Sequence, residues 1–319
     1  MEISASDVRS GDKSAVARAI TLVENKRERA APLLKELYAH SELSYLVGVT
    51  GPPGAGKSTL VEKIVLEWIN KDYKTAVIAI DPTSEFSGGA LLGDRIRMDE
   101  ISTLPDVFIR SMATRGYLGG LNPAIFDTVL ILSSAGYSRI VIETVGVGQN
   151  EIDIVNLADT TLVVTMPEVG DEIQAFKAGL MEAGDIFVLN KADHPRVDRM
   201  ELVLRQMLEL NKSDGEGVFP AMMKTVATTG KNIKKVVKTI DQHRSMLKES
   251  GEIDRHRNQI IRKHIKHLLE EKVRTRLITP VMEDEGFAGR LQKVFDREDD
   301  PYSEAEKLYN RLQKFMEKE

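Results

Sequence analysis

The sequence predicts an α/β fold, a mostly parallel, doubly wound sheet with helical extensions at both ends. Three observations carry this reading. Between Tyr45 and about Thr229, short β-branched runs alternate with amphipathic segments, the pattern of strands joined by crossover helices. Several of the runs are apolar on both faces, as strands covered on both sides must be. Before residue 43 and beyond Gly230 the strand pattern stops and helical spacing takes over.

In chain order, residues 1–42 read as an N-terminal helical extension. KSAVARAITLVEN places Val16, Ile20 and Val23 on one face, and APLLKELYAH continues after a charged break at KRERA. Residues 43–248 read as the α/β domain. Its strands are SYLVGVT (44–50), TAVIAID (75–81), DVFIRSM (106–112), RIVIETV (139–145), TTLVVTM (160–166), DIFVLNK (185–191) and AMMKTVAT (221–228). Residues 249–319 read as a C-terminal helical arm, with HRNQIIRKHIKHLLEEKVRTRLI and DPYSEAEKLYNRLQKFMEKE as amphipathic segments. The basic run from Arg255 to Arg276 reads as a helix face for packing or dimer contact. His264 and His267 are three apart on that helix, a spacing that can ligate metal, but the stretch is crowded with Lys and Arg and no metal site is expected there.

Composition narrows the function classes. The 319 residues are 42% hydrophobic and 29% charged, as in ordinary globular proteins. A net charge of −5 provides no global basic field for nucleic acid. Without cysteine there are no disulfides and no thiolate metal sites, which fits a reducing compartment. The start, MEISASDVRSGDK, lacks a basic region followed by an apolar run, and no apolar stretch approaches the length of a membrane span. A cytoplasmic protein with no membrane partner is expected.

The chemistry begins at GPPGAGKST. Gly51 to Ser58 fits G-x-x-x-x-G-K-[ST] and lies between a buried strand and a helix running to about Asn70, the setting this motif needs. Glycines let successive backbone N–H groups turn toward phosphate oxygens, and the helix N-terminus adds its positive end. The fold is therefore expected to be that of a P-loop NTPase, with Gly51, Pro53, Gly54, Ala55, Gly56, Lys57, Ser58 and Thr59 around the phosphates. Lys57 would neutralise the β- and γ-phosphates and Ser58 would ligate Mg²⁺.

The base is chosen by FVLNKAD (187–193), at the end of an apolar strand, where open α/β sheets gather ligand groups. Guanine presents an N1–H and a 2-amino group side by side, and the Asp193 carboxylate can accept both, a pair adenine does not offer. Asn190 and Lys191 would tie the loop and cover the base plane. In TVATTG (225–230) the Ala227 N–H is a candidate for the base carbonyl, with Thr228 beside it. Guanine nucleotides, GTP and GDP, are the expected ligands.

For the γ-phosphate, Glu143 ends the strand RIVIETV, where an acid holds the Mg²⁺ hydration shell, and Gly146 is placed to donate its N–H. Val147 follows, where many regulatory GTPases carry a water-orienting glutamine; Gln149 comes two places later, so hydrolysis is expected to be slow. Asp81 and Asp94 are open to two readings, metal contact or turn chemistry. Arg110 and Arg115, which flank SMAT, are equally open to a phosphate or interface role and to surface pairing.

Taken together, GPPGAGKST, DPTSEFSGGALLGDRIRM, FIRSMATRGYLGGL, AGYSRIVIETVGVGQNE, GDEIQAFKAGLMEAGDIFVLNKAD and DPYSEAEKL resemble the MeaB-type (ArgK-like) GTPases over nearly the whole chain. The resemblance implies a GTP- and Mg²⁺-dependent chaperone of an adenosylcobalamin-dependent acyl-CoA mutase, such as methylmalonyl-CoA mutase. Such a protein gates cobalamin loading, protects or rescues the mutase, and forms homodimers through terminal helices. By matching position it makes Ser58, Asp94 and Glu143 Mg²⁺-shell candidates, leaves Asp81 open, and sets Lys57, Asp94 and Glu143 as catalytic. It implies switch segments near 81–98, 146–156 and 166–182, with Asp171 and Lys177 in the third. Two departures stand out. Pro167-Glu168-Val169 replaces a run of small residues, and Val226-Ala227 replaces Ser-Ala in the guanine loop. A metal-insertion GTPase and a P-loop kinase are the rival readings; scattered histidines without cysteine weigh against the first, and the lack of an acceptor-pocket and lid pattern against the second.

Overall fold

The computed structural model describes residues 3–25, 27–81, 98–113, 123–144, 157–167, 184–210 and 220–316. All seven expected strands form: β1 (Tyr45–Thr50), β2 (Thr75–Asp81), β3 (Val107–Ala113), β4 (Arg139–Thr144), β5 (Thr160–Thr165), β6 (Ile186–Leu189) and β7 (Ala221–Lys224). They make one sheet in the order β3-β2-β4-β1-β5-β6-β7, with every pairing parallel. β1, β4 and β5 are buried along their whole length, which explains their lack of apolar–polar alternation.

Two faces cover the sheet. On one, Tyr45, Val47 and Val49 of β1 pack with Leu60, Val61, Ile64, Val65 and Trp68 of α4 (Lys57–Ile69) and with Val236, Val237 and Ile240 of a later helix (Ile233–Glu249). On the other, Val163, Phe187 and Leu189 meet Met200, Leu204 and Leu208 of the helix Val197–Leu210. Helix Pro123–Ser134 is apolar almost all round because the N-terminal helices pack against it.

Those helices are α1 (Ala5–Arg9), α2 (Lys13–Asn25) and α3 (Arg27–Tyr38). Val16, Ile20 and Val23 are buried together as their spacing predicts. The charged stretch after Asn25 is not a long break, since helix resumes at Arg27 and runs through Pro32. Arg110 resolves as a tie rather than a phosphate ligand: from β3 it pairs with Glu24 and donates to Thr21 Oγ1 at 3.1 Å.

The chain forms two compact units, residues 1–257 and 258–319. In the first, the N-terminal edge of the sheet holds a polar seam. Arg139, 1% exposed, stacks on Tyr73 at 4.1 Å and on Tyr45 at 5.6 Å and lies 3.6 Å from Asp241. Asp159 accepts from Leu46 N and from Arg257 through both oxygens, and Arg257 also reaches Ser44 O at 3.0 Å. Thr160 Oγ1 meets Tyr45 Oη and His243 Nδ1, while His243 Nε2 faces Asp185 at 3.6 Å. In the second unit, Asp300 caps the helix Pro301–Met316 by accepting from Tyr302 N and Ser303 N. Arg290 there pairs with Asp284 and Glu304. Among the described residues, no helix is long and apolar enough to cross a membrane.

Burial pushes the Asp185 carboxyl up, against the Thr161 N–H and the two histidines facing it, His243 and His256. A carboxyl whose pKa rises on folding favours the fold below its ordinary value of 3.8, and that contribution is lost as pH rises through the folded value. Asp185→Asn, which keeps an acceptor for Thr161 N, is therefore expected to raise the thermal midpoint at neutral pH. The gain should vanish below the ordinary aspartate value, as checked by thermal melts of both proteins across pH.

Candidate functional site

The phosphate loop leaves β1 at Thr50 and enters α4 at Lys57. Its shape depends on glycine at two points. Gly51 has φ +137°, and a Cβ there would lie 1.9 Å from the Val164 carbonyl oxygen of β5, so no other residue fits against that strand. Gly56, the N-cap of α4 with φ +85°, would bring a Cβ to 2.5 Å from Asn190 Nδ2. Pro53 and Gly54 form the exposed tip, and Ala55 is buried. Lys57, 6% exposed, folds back inside the loop and donates to Gly51 O at 2.7 Å and Pro52 O at 3.0 Å. A buried ammonium ringed by glycine backbone at a helix N-terminus is suited to bind phosphate. Ser58 and Thr59 follow in the first turn.

The neighbouring strand supplies an acid. β4 lies next to β1, with Val49 paired to Glu143, so the end of β4 reaches the start of α4. Ser58 Oγ donates to Glu143 Oε1 at 2.6 Å, and Glu143 is 7% exposed. A serine hydroxyl beside a carboxylate is the hard-oxygen donor pair suited to Mg²⁺, a cation that takes few protein ligands and completes its shell with water and phosphate. Among the described residues no three His, Cys, Asp or Glu side chains gather into a protein-only metal cage. Asp81 closes β2 at the same edge of the sheet, paired with Ala113. Asp94, Gly146, Val147, Gln149, Arg115, Asp171, Lys177 and the Glu168-Val169 departure lie outside the described residues.

The loop after β6 is joined to the phosphate loop by one side chain. Asn190, 3% exposed, donates from Nδ2 to Ala55 O at 2.9 Å. Its Oδ1 accepts from Thr225 Oγ1 at 3.1 Å and from Ala227 N at 3.0 Å. The backbone repeats the link, with Ala192 N donating to Thr225 O and Thr225 N to Leu189 O. Lys191 takes φ +54°, which turns the chain so that Asp193 stands exposed. Thr228 is exposed in the turn Ala227–Thr229. The Ala227 N–H, expected on the base carbonyl, is held by Asn190 in this structure. Thr225, fully buried between the loops, was not singled out by the sequence, since nothing local distinguishes it from a strand-end threonine.

The site thus sets a phosphate cradle, a serine–carboxylate pair and an exposed aspartate along the carboxyl edge of one parallel sheet. A family model described as methylmalonyl-CoA mutase-associated GTPase MeaB matches residues 16–281. The chain belongs to the MeaB family. Like its relatives it is a GTPase. A Pyrococcus horikoshii protein named as a GTPase is 45% identical over 307 residues, 96% of each chain. GTPase ArgK of Escherichia coli is 32% identical across 83% of this chain and 82% of its own. The mitochondrial methylmalonic aciduria type A homolog of Caenorhabditis elegans is 31% identical across 88% of this chain and 77% of its own. Among solved structures, that of a LAO/AO transport system kinase superposes with a TM-score of 0.70 at 25% identity, covering 97% of this chain and 96% of that one. The MeaB fold of this chain is that of a P-loop NTPase.

Gly56→Ala tests the loop. The added methyl must displace Asn190, so the variant is expected to lose about tenfold or more in GDP affinity, the effect of losing at least one buried hydrogen bond. Equilibrium titration with GDP reads it.

Proposed function

We propose that this MeaB-family GTPase is a GTP-binding, slowly hydrolysing chaperone of a B12-dependent acyl-CoA mutase, gating cobalamin loading and protecting or reactivating its client. The observation that carries this is the match over residues 16–281 to a family described as mutase-associated. The similarity to the methylmalonic aciduria type A homolog supports it.

In this reading Lys57 sets its buried ammonium against the β- and γ-phosphates, and the backbone of Gly51, Gly54, Ala55 and Gly56 surrounds them. Ser58 and Glu143, with Asp94 and Asp81 as further candidates, would hold Mg²⁺, whose charge offsets that of the phosphates. Asp193 accepts from guanine N1–H and the 2-amino group, while Lys191 covers the base plane. Asn190 holds the base loop and phosphate loop at fixed separation, and Gly146 would meet the γ-phosphate. Val147, in place of a water-orienting glutamine, keeps hydrolysis slow enough for the nucleotide state to serve as a signal. A cytoplasmic homodimer fits the second unit, which exposes Leu269, Leu291, Phe295 and Tyr302.

Two outcomes are expected. Asp193→Asn exchanges one acceptor for a donor and so matches xanthine, which carries a carbonyl where guanine has its amino group. GTP affinity should fall about 100-fold or more, as loss of charge-assisted hydrogen bonds requires, while XTP affinity rises in the same titration. The client role is tested by adding the protein to an acyl-CoA mutase. Association, with cobalamin transfer that differs between GTP and GDP, is expected; no binding under either nucleotide removes the chaperone reading.

A further inference from the structure

The β1–β4 ladder runs in register from Tyr45–Arg139 to Val49–Glu143 and then stops. One residue further on, the two strands diverge: β1 becomes the phosphate loop at Gly51, and β4 ends at Thr144. At that point two hydroxyls meet, Thr144 Oγ1 donating to Thr50 Oγ1 at 3.1 Å. Both residues are buried, Thr50 at 0% and Thr144 at 4% exposure. Each is also fixed on its far side, since Thr50 pairs with Val163 of β5 and Thr144 with Ile80 of β2.

Strand alternation separates this pair from the chemistry without moving it far. Val49 and Val141 point into the core shared with α4, and Glu143 lies on that face against Ser58. Thr50 and Thr144 therefore point to the opposite face. We propose that the Thr50–Thr144 hydroxyl pair is a positioning device that holds the end of β4 to the root of the phosphate loop, fixing Ser58 and Glu143 at the spacing Mg²⁺ needs. Without it, among the described residues, the strand carrying the acid and the loop carrying the serine keep the ladder that ends one residue earlier and the Ser58–Glu143 bond whose geometry is to be held. This rests on the assignment of Ser58 and Glu143 to the Mg²⁺ shell.

The chemistry of the pair suggests how to separate positioning from stability. Replacing one threonine by valine strands a buried hydroxyl, whereas replacing both leaves two apolar groups of nearly the same shape. Thr50→Val/Thr144→Val is thus expected to fold as the parent does while lacking the tie. The measurement is the dissociation rate of ribose-labelled fluorescent GDP, chased with unlabelled GDP, in millimolar Mg²⁺ and in EDTA. In the parent Mg²⁺ should slow dissociation, and Ser58→Ala should abolish that effect. In the double variant the Mg²⁺ effect should shrink by about tenfold, the scale of one hydrogen bond, with the EDTA rate unchanged; the single variant Thr144→Ser, which keeps both hydroxyls, should retain it. A double variant with the full Mg²⁺ effect overturns the proposal, as does one whose dissociation accelerates equally with and without Mg²⁺. If the parent shows no Mg²⁺ effect, the metal assignment of Ser58 and Glu143 falls, and this proposal with it.

Discussion

The carboxamide of Asn190 is the interaction on which the site depends. Its donor end is spent on the phosphate loop at Ala55 O and its acceptor end on the guanine-loop residues Thr225 and Ala227. An amide buried to this degree must satisfy both ends, and here the two ends reach two different segments, each distinct from the one that carries Asn190. Displacing any one leaves a buried polar group without its partner, so the three segments are constrained together. Gly56 reports the tightness of this arrangement, because even a methyl group there would collide with the Asn190 amide.

The sheet makes this convergence possible. All pairings are parallel, so the carboxyl ends of β1, β4, β5 and β6 face the same way and their loops share one edge. The position of β1 between β4 and β5 brings Glu143 to Ser58 on one side, and the Val164 carbonyl to Gly51 on the other. The opposite edge is held differently, by the Arg139–tyrosine stack and the Arg257–Asp159 pair. A charge such as Asp159, 6% exposed, is tolerated there because Arg257 and the Leu46 N–H fill its acceptor sites.

Much of this was legible from the sequence because it is local. The seven strands announce themselves as β-branched runs, and the phosphate loop as glycines before Lys57. The helical face of Val16, Ile20 and Val23 follows from spacing alone. Contacts between residues far apart in the chain left no such mark. Arg110 read equally well as a phosphate ligand or a surface charge, and only the fold shows Glu24 beside it. Arg257 was one cation in a basic helix face until Asp159 came within reach. Thr50 and Thr144 look like ordinary strand-end residues, and their bond exists only because β1 and β4 are neighbours. The Ala227 amide, a candidate for the base carbonyl, donates to Asn190 in this structure, a contact that no local pattern announces.

If Asn190 fixes the base and phosphate halves of one guanine-specific site to each other, its removal must cost base selectivity. Competitive titration of GDP and ADP against the parent and Asn190→Ala tests it most directly. GDP should bind at least about 100-fold more tightly than ADP, as hydrogen-bonded recognition of a specific base allows, and most of that preference should vanish in Asn190→Ala. Equal displacement by ADP and GDP in the parent, or an Asn190→Ala protein with undiminished guanine preference, would contradict it.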